Sequence, residues 1–283
     1  MERFILKNGL SVPLVASRSN GLVVDAAKLT ERKYREISGA FLLEGEKLFE
    51  EAVLWGEPVS VFVSSDHAER LSEKTLGYLS DPRLRDRVFA LSASAFSKIS
   101  TEKAPQGVIA AARIPDFYRS GENGARELLA GDLRSLVLDG VRDPGNVGGI
   151  LRSAAAFGFD GAILIDSADP FGDRAVRASM GAVFRMRTVA VRSAGFLRDA
   201  IGSSGRRLVA SALSENSETL GEFLPSRRDV PVIGNEGHGI SGETAEIADV
   251  TLRIPMAAGC ESLNAGAAAA VVLWEYFKQS RKE

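Results

Sequence analysis

Cysteine and histidine are scarce in this chain, which excludes several kinds of site. Cys260 is the single cysteine among 283 residues, so no intrachain disulfide can form, and this usage fits a reducing compartment. His67 and His238 are the only histidines, which leaves a tetrahedral zinc site short of its usual ligands. The sequence therefore predicts neither a disulfide framework nor a metal centre.

Long hydrophobic runs are lacking as well. Residues 1–15 contain no uninterrupted apolar core of the kind found in a secretory signal peptide. The longest apolar run, residues 265–274, includes a glycine and has about half the length that crosses a bilayer. We therefore expect a soluble cytoplasmic protein without a membrane partner.

Charge of one sign is not in excess either. The net charge is −2, and the hydrophobic share of 45% is typical of a folded globular protein. Nucleic-acid-binding domains are often basic overall, so the net charge argues mildly against a nucleic-acid partner. The positions of the charged residues matter more than their total. The densest basic stretch in the first half, residues 28–35, taken alone favours a solvated helix face over a nucleic-acid contact.

The periodicity of the chain changes near its middle. Short helical and β-branched stretches fill the first part and predict a compact α/β unit. Residues 114–124 are rich in glycine, proline and polar side chains, a composition typical of a linker. We therefore divide the chain into an N-terminal extension, a small domain, a linker and a larger domain, over residues 1–25, 26–113, 114–124 and 125–283.

The larger domain is predicted to contain a parallel sheet. Apolar runs alternate with helical patterns there, which favours buried parallel strands with helices on both faces. The strand candidates are residues 135–138, 161–165, 207–210, 230–233 and 250–254, and the helix candidates are residues 147–157, 194–201, 242–247 and 262–279. Ser262 suits the N-cap of the last helix.

Three strand ends in this domain carry glycine-rich or small-residue loops, at residues 139–152, 234–241 and 254–264. Ligands of such sheets bind outside the carboxyl ends of the strands, and glycines let backbone amides approach them closely. If Asn146 caps its helix, Arg152 lies on the second turn and can face the same cleft. None of the loops matches a dinucleotide fingerprint, a phosphate loop or a nucleophile elbow.

Each polar residue in these loops also has a purely structural interpretation. Asn146 could be an ordinary N-cap, and Arg152 a surface ion-pair residue. Glu236, between two glycines, could be a turn residue, while Ser262 and Asn264 could simply begin a helix.

Together, the three loops resemble motifs 1, 2 and 3 of the SpoU, or TrmH-type, branch of the SPOUT RNA methyltransferases. The matching patterns are N-x-G-x-I-x-R at residues 146–152, G-N-E-G-x-G-I-S at 234–241, and I-P-M followed by E-S-L-N at 254–264. Residues 32–48 resemble the small substrate-binding domain of that family, which is similar to ribosomal protein L30e. The chain departs from many relatives at Ala258, where they have glycine, and at Ala265 and Gly266, where they have valine and serine.

The resemblance implies a fold that periodicity alone would not predict, because true knots are nearly absent among proteins. It implies an α/β protein whose C-terminal parallel sheet, with helices on both faces, carries a deep trefoil knot. A smaller L30e-like α/β domain precedes that sheet. It also implies methyl transfer from S-adenosylmethionine to a ribose 2′-hydroxyl of RNA, by a homodimer in which the partner completes the cleft.

The resemblance also assigns residues to roles, matched position by position. The implied catalytic set is Asn146, Arg152, Glu236, Ser262 and Asn264. The residues expected around the methyl donor are Gly234, Asn235, Gly239, Ile254, Met256 and Leu263. Apart from these matched positions, the basic residues expected to contact RNA phosphates in the first domain are Arg32, Lys33 and Arg35.

The chemistry of the guanidinium constrains the role of Arg152. Relatives suggest it as the base that activates the ribose hydroxyl, yet a guanidinium is essentially always protonated in proteins. We therefore expect Arg152 to hold the neighbouring phosphate and to stabilise a developing alkoxide. Glu236 is expected to orient Asn146 and the loops rather than to act as the base.

Several alternatives stay open. The L30e-like domain favours ribosomal RNA as the substrate, with transfer RNA as the alternative. A non-catalytic RNA-binding or ribosome-assembly factor on the same fold would be expected to lack Asn146, Arg152 or Asn264, all of which are present. A nucleotide-dependent oxidoreductase would need the glycine fingerprint that this sequence lacks.

Overall fold

The computed structural model describes residues 2–212, 217–259 and 262–281. The chain forms two compact units. The first unit comprises Met1–Ile114 and Phe171–Phe184, and the second comprises Pro115–Pro170 and Arg185–Glu283. Cys260 and Glu261, which belong to the third predicted motif, lie outside the described residues.

The elements are numbered in chain order. The strands are β1 Arg3–Ile5, β2 Ser11–Val15, β3 Ala40–Glu44, β4 Pro58–Ser64, β5 Val88–Leu91, β6 Val108–Arg113, β7 Ser135–Asp139, β8 Gly161–Ile165, β9 Arg187–Val191, β10 Arg207–Ser211, β11 Glu218–Thr219, β12 Asp229–Gly234 and β13 Val250–Arg253. The α-helices are α1 Gly21–Lys28, α2 Arg32–Ser38, α3 Glu46–Trp55, α4 Glu73–Leu79, α5 Ala93–Phe96, α6 Gly121–Ala130, α7 Pro144–Ala156, α8 Asp173–Ser179, α9 Ala182–Arg185, α10 Leu197–Ser204, α11 Gly242–Ile247 and α12 Ala265–Ser280.

A mixed six-stranded sheet forms the centre of the first unit, in the order β1-β2-β5-β4-β6-β3. β5 pairs in parallel with β2 and β4, whereas β6 pairs antiparallel with β3 and β4. β1 and β2, which lie within residues 1–25, extend one edge of this sheet. The segment that the sequence sets apart as an extension is therefore part of the first unit.

The helix α3 shows why the sequence of this unit folds as it does. Leu48, Phe49, Ala52 and Val53 recur at helical spacing, and the structure buries all four. A fully buried aliphatic or aromatic side chain contributes about 1.5–3 kcal/mol relative to an exposed one, so this face holds the helix in place. Gly45 precedes α3 with a φ of +105°, a conformation that strongly favours glycine.

The second unit contains a seven-stranded sheet in the order β11-β13-β10-β12-β7-β8-β9. All its pairings are parallel, as the buried apolar runs predict. Its core includes Val137, Ile163, Val189, Leu208 and Val232, one from each of five strands, and all are almost completely buried. The fold class of the larger domain is therefore as predicted from its strand and helix alternation.

The segment predicted to be a linker is helical. Residues Asp116–Ser120 form a 3₁₀ helix, and α6 follows directly. A Cβ at Gly124 would lie 1.7 Å from Ser120 Oγ, so this glycine permits close packing. In this segment glycine reflects a tight contact between successive turns, a property that composition cannot distinguish from flexibility.

No helix in the described ranges combines the length and the hydropathy needed to cross a bilayer.

Candidate active site at the carboxyl edge of the parallel sheet

The loop after β12 is closed on itself. Asn235 N donates to the Gly239 carbonyl at 2.8 Å, and Gly239 N donates back to the Asn235 carbonyl at 2.9 Å. A Cβ at Gly234 would lie 2.4 Å from the Gly239 carbonyl carbon, and Gly239 has a φ of +69°. Both positions therefore need glycine, one for close approach and one for a left-handed backbone.

Two side chains connect this loop to the loop after β7. Asn235 Nδ2 donates to the Gly140 carbonyl at 2.9 Å, and Ser241 N donates to Asp139 Oδ2 at 2.7 Å. Asp139 is buried at the end of β7. These contacts hold two of the three predicted motif loops side by side at the carboxyl ends of neighbouring strands.

Asp143, and not Asn146, caps helix α7. Asn146 N donates to Asp143 Oδ1 at 2.9 Å, and Pro144 occupies the first turn. The interpretation of Asn146 as an N-cap is therefore wrong, because the cap lies three residues earlier. The signal was readable, since an aspartate directly before a proline is a common helix start.

Because the cap is elsewhere, the Asn146 side chain is free to join the three motifs. Its Nδ2 donates to Glu236 Oε1. Its Oδ1 accepts a hydrogen bond from Asn264 Nδ2 at 3.0 Å. The structure thus brings one polar side chain from each motif into a hydrogen-bonded chain, Glu236–Asn146–Asn264.

Asn264 has a second role at the start of α12. Its Oδ1 accepts from Gly266 N at 2.9 Å and from Ala267 N at 3.3 Å, so Asn264 is the N-cap. The expected cap, Ser262, lies two residues earlier and is exposed. The amide of asparagine has both an acceptor and a donor, which lets Asn264 cap the helix and contact Asn146 simultaneously.

Arg152 stands apart from this chain of hydrogen bonds. It is exposed on α7, and it makes no hydrogen bond or ion pair with any residue that the structure describes. Six residues separate it from Asn146, which places the two side chains about 120° apart around the helix axis. Within one chain, the structure does not bring the Arg152 guanidinium into contact with the other predicted catalytic residues.

A cavity of about 800 Å³ opens beside the loop after β12. Its walls are this loop, the segment after β13 and the first turn of α12, with Ile233 and Leu252 in the lining. All six residues predicted to surround the methyl donor line it, namely Gly234, Asn235, Gly239, Ile254, Met256 and Leu263. Two predicted catalytic residues, Glu236 and Ser262, line it too. Its size and its mixture of apolar side chains and loop backbone suit a nucleoside-sized ligand.

The three basic residues predicted to contact RNA have different surroundings. Arg32 and Lys33 are exposed on α2, where Arg32 Nε lies 2.8 Å from Glu36 Oε1 and Lys33 Nζ lies 5.8 Å from the Tyr34 ring centre. Arg35 is only 5% exposed.

The Arg35 guanidinium is occupied inside the first unit. It donates to the Leu29 carbonyl at 2.9 Å and to the Thr30 carbonyl at 2.8 Å. The prediction of a phosphate contact is therefore corrected for Arg35, because this side chain holds the turn between α1 and α2. Arg32 and Lys33 stay predictions.

No group of three or more histidine, cysteine, aspartate and glutamate side chains in the described part of the chain could hold a metal ion.

Comparisons with known families identify both halves of the chain. The sequence model of the SpoU rRNA Methylase family matches residues 134–274, which include the three motif loops and the cavity. The model of the MRM3-like substrate binding domain matches residues 20–110.

Individual relatives match over nearly their whole length. The chain is 30% identical to the 23S rRNA (guanosine(2553)-2′-O)-methyltransferase RlmP of Bacillus subtilis, over 92% of this chain and 97% of that protein. It is 30% identical to the 23S rRNA (uridine(2479)-2′-O)-methyltransferase of Streptomyces viridochromogenes, over 89% of this chain and 88% of that protein. The AdoMet-bound rRNA methyltransferase from Sinorhizobium meliloti superposes with a TM-score of 0.79 at 28% identity, over 94% of this chain and 98% of that one.

Proposed function

The chain belongs to the SpoU rRNA methylase family, and we propose that it methylates a ribose 2′-hydroxyl of ribosomal RNA with the motif residues at the carboxyl edge of its parallel sheet. The observation that carries this proposal is the Glu236–Asn146–Asn264 chain at a cavity lined by all six expected donor-binding residues. The protein is an S-adenosylmethionine-dependent RNA methyltransferase.

The residues of the cavity fit S-adenosylmethionine. Ile254, Met256 and Leu263 offer apolar surface for a neutral purine, while the closed loop from Gly234 to Gly239 presents backbone polar groups. When bound, the donor supplies a methyl group on a sulfonium, which is already a good leaving group. The protein therefore has to align the two reactants and assist the loss of the hydroxyl proton.

We assign to Asn146 the orientation of the ribose, a role that its hydrogen bonds support. Its amide is fixed at both ends, since Nδ2 donates to Glu236 and Oδ1 accepts from Asn264. A fixed amide next to the donor cavity can hold a hydroxyl in line with the methyl carbon, and small misplacements are costly in such displacements. Glu236 thus acts as a positioning residue that sets the direction of the Asn146 amide.

Arg152 is assigned to the RNA rather than to proton transfer. Its exposed guanidinium carries a permanent positive charge. Such a group binds the phosphate next to the target ribose and stabilises negative charge that develops on the attacking oxygen. Because Arg152 is separate from Asn146 within one chain, we place it at a cleft that a second subunit completes.

A homodimer is supported by a partly exposed aromatic surface formed by α12 and the residue that follows α7. Phe157, Trp274 and Phe277 have ring centres 5.7–5.8 Å apart, and Trp274 and the nearby Val271 are 44% and 40% exposed. Exposed patches of large apolar side chains are typical of association sites. Arg152 lies on α7 as well, and in the proposed homodimer we assign it to the cleft that the partner subunit completes.

We also infer the deep trefoil knot that is implied by family membership. β13 pairs on the far side of β10, yet α12, which follows it, packs against α7 and β12 in the middle of the sheet. The last segment of the chain therefore returns across the motif loops, as the threading of a knot requires.

The reaction is tested with labelled S-adenosylmethionine and unmodified transcripts of ribosomal and transfer RNA, incubated separately. After digestion of the RNA, we expect the label in a 2′-O-methyl nucleoside derived from 23S rRNA, the substrate named for both relatives. Label only in transfer RNA would overturn the choice of substrate. Label on a base would overturn the chemistry, and donor binding without transfer to any RNA would favour a non-catalytic RNA-binding protein.

A further inference from the structure

A second cavity, of about 640 Å³, lies on the other side of the loop after β12. Asn235, His238, Gly239 and Ile240 line both this cavity and the donor cavity, so the loop separates the two. The remaining walls come from the ends of β7, β8 and β9 and from the start of α11. The sequence motifs assign no role to this space, which we call the edge cavity.

The acidic side chains in the edge cavity have partners already. Asp139 accepts from Ser241 N at 2.7 Å, and Glu243 accepts from Ala194 N at 3.0 Å. Asp166 pairs with Arg142. The carboxylates are therefore engaged in holding the walls together, which leaves Arg192 and the other donors of the Arg142 guanidinium to receive a ligand.

Asp166 holds Arg142 from a backbone conformation that is unusual for its type. Its φ is +43°, in the left-handed region that few residues other than glycine adopt. Such positions persist where the surrounding structure over-determines them, and they concentrate at functional sites. The Asp166 carboxylate meets the Arg142 guanidinium directly after β8, where the cavity opens.

Arg192 is the second cation of the edge cavity, directly after β9. It is exposed, and the described residues offer it neither a hydrogen bond nor an ion pair. An unpaired arginine at the mouth of a cavity has all its donors available. The planar fork of donors fits a phosphate oxygen pair closely.

We propose that Arg142 and Arg192 bind a further backbone phosphate of the RNA, in addition to the phosphate assigned to Arg152, with the RNA entering the edge cavity while the donor occupies the opposite side of the shared loop. This inference rests on the proposed function, because it needs an RNA substrate. It accounts for the two cations at this edge, for the engagement of the neighbouring carboxylates and for the position of the edge cavity against the loop that carries Glu236. Phosphate contacts position the RNA without reading its sequence.

The test compares Arg142→Gln, Arg192→Gln and the double variant with Arg227→Gln as a matched control. Arg227 is also exposed, but it precedes β12 at the amino edge of the same sheet, so the control removes an equal charge far from the loops. KM and kcat for a 23S rRNA transcript are measured at saturating donor. Binding of the same transcript is followed by fluorescence anisotropy over a series of salt concentrations, and donor affinity by calorimetry.

We expect each single variant to raise the RNA KM about tenfold, the loss of one charged hydrogen bond, with kcat and donor affinity unchanged. The slope of log affinity against log salt should decrease by about 0.7 for each arginine that contacts a phosphate. Arg192→Lys should keep most of the salt slope, because it keeps the charge.

Variants that match Arg227→Gln in both KM and salt slope would overturn the inference. A variant that lowers kcat with KM unchanged would also overturn it, because it would place the arginine in the chemical step. If the native protein methylates no RNA, the proposed function fails instead, and the anisotropy series still decides whether these arginines contact RNA.

Discussion

Asn264 illustrates how much depends on single residues at this site. One amide group caps α12 through its oxygen and contacts Asn146 through its nitrogen. The sequence could suggest either role for this residue. Both roles are filled at once because α12 begins where the third motif passes the start of α7.

The substitution Asn264→Asp separates the two roles. Aspartate caps helices as well as asparagine does and is favoured by the positive end of the helix, so the free energy of unfolding should change little. The donor to Asn146 is lost, and a second carboxylate is placed near Glu236, so we expect kcat to fall at least about tenfold. Thermal unfolding and single-turnover kinetics measure the two effects.

Asn264→Ala is the control for this separation, since it removes the cap and the donor together. It should lose about 1 kcal/mol of stability in addition to the loss of kcat. An Asn264→Asp enzyme with native kcat would show that the contact with Asn146 is dispensable.

Arg35 and Arg32 differ in burial although they lie on the same helix. Arg35→Gln removes two hydrogen bonds from a buried guanidinium and should lower the free energy of unfolding by about 1.5–3 kcal/mol. Arg32→Gln removes an exposed ion pair with Glu36 and should leave stability within about 0.5 kcal/mol of the native value. Urea unfolding of both variants checks this contrast. Equal stabilities would mean that the carbonyl contacts of Arg35 are not structural.

Among the elements, the amino edge of the second sheet depends on arginines. Arg207, at the start of β10, forms two 2.9 Å contacts with Asp229 at the start of β12. Arg206 donates to the Leu129 carbonyl at 2.7 Å. This carbonyl lies in the last turn of α6, where carbonyls have no partner within the helix. The carboxyl edge of the sheet is thereby left for the motif loops.

Tyr276 connects α12 to this amino edge. Its hydroxyl lies 3.4 Å from Asp229 Oδ2, and burial together with the Asp229 charge raises its pKa well above the ordinary value of 10.0. Because the pKa of Tyr276 is higher in the folded state than in the unfolded state, the protonated hydroxyl stabilises the fold. This contribution to the free energy of unfolding is complete below the pKa of the unfolded state and is lost as the pH rises above that pKa.

We therefore expect the free energy of unfolding to fall as the pH increases above 10.0. In Tyr276→Phe this alkaline loss should be smaller, because the titrating hydroxyl is absent. Denaturant unfolding of both proteins at neutral and alkaline pH measures the difference, with Tyr118→Phe as the control for general tyrosine ionisation. Parallel pH profiles for the native protein and Tyr276→Phe would contradict the assignment.

At the scale of the whole molecule, the proposed homodimer is expected to complete the cleft. Trp274→Lys places a charge in the exposed aromatic surface of α12, so we expect it to produce a monomer. Methyl transfer should fall with it, because Arg152 would no longer reach a partner cleft. Sedimentation velocity gives the oligomeric state, and the labelled-donor assay gives the activity.

Trp55→Lys is the matched control, because Trp55 is 61% exposed at the end of α3 in the first unit. It should remain dimeric and active. A monomeric native protein that is fully active would show that one chain suffices.

The sequence by itself determined the parallel sheet and the positions of the motif loops. Buried parallel strands read as continuous apolar runs, and β8 and α11 have the predicted bounds. The glycines at 234 and 239 could likewise be assigned to a tight loop, because their backbone requirements are local. The same motifs predicted six donor-binding residues, all of which line one cavity.

Only the tertiary structure decided how distant residues combine. Phe171–Phe184 belongs to the first unit, where Phe171 packs against Phe41 with ring centres 4.9 Å apart, although its position in the chain predicts the second. Whether Arg35 is buried, and whether the Asn146 side chain meets Glu236 and Asn264, depends on neighbours that periodicity does not reveal. Local patterns set the backbone preferences of each segment, whereas burial and hydrogen-bond partners are properties of the packed chain, and they determined which polar residues could reach a ligand.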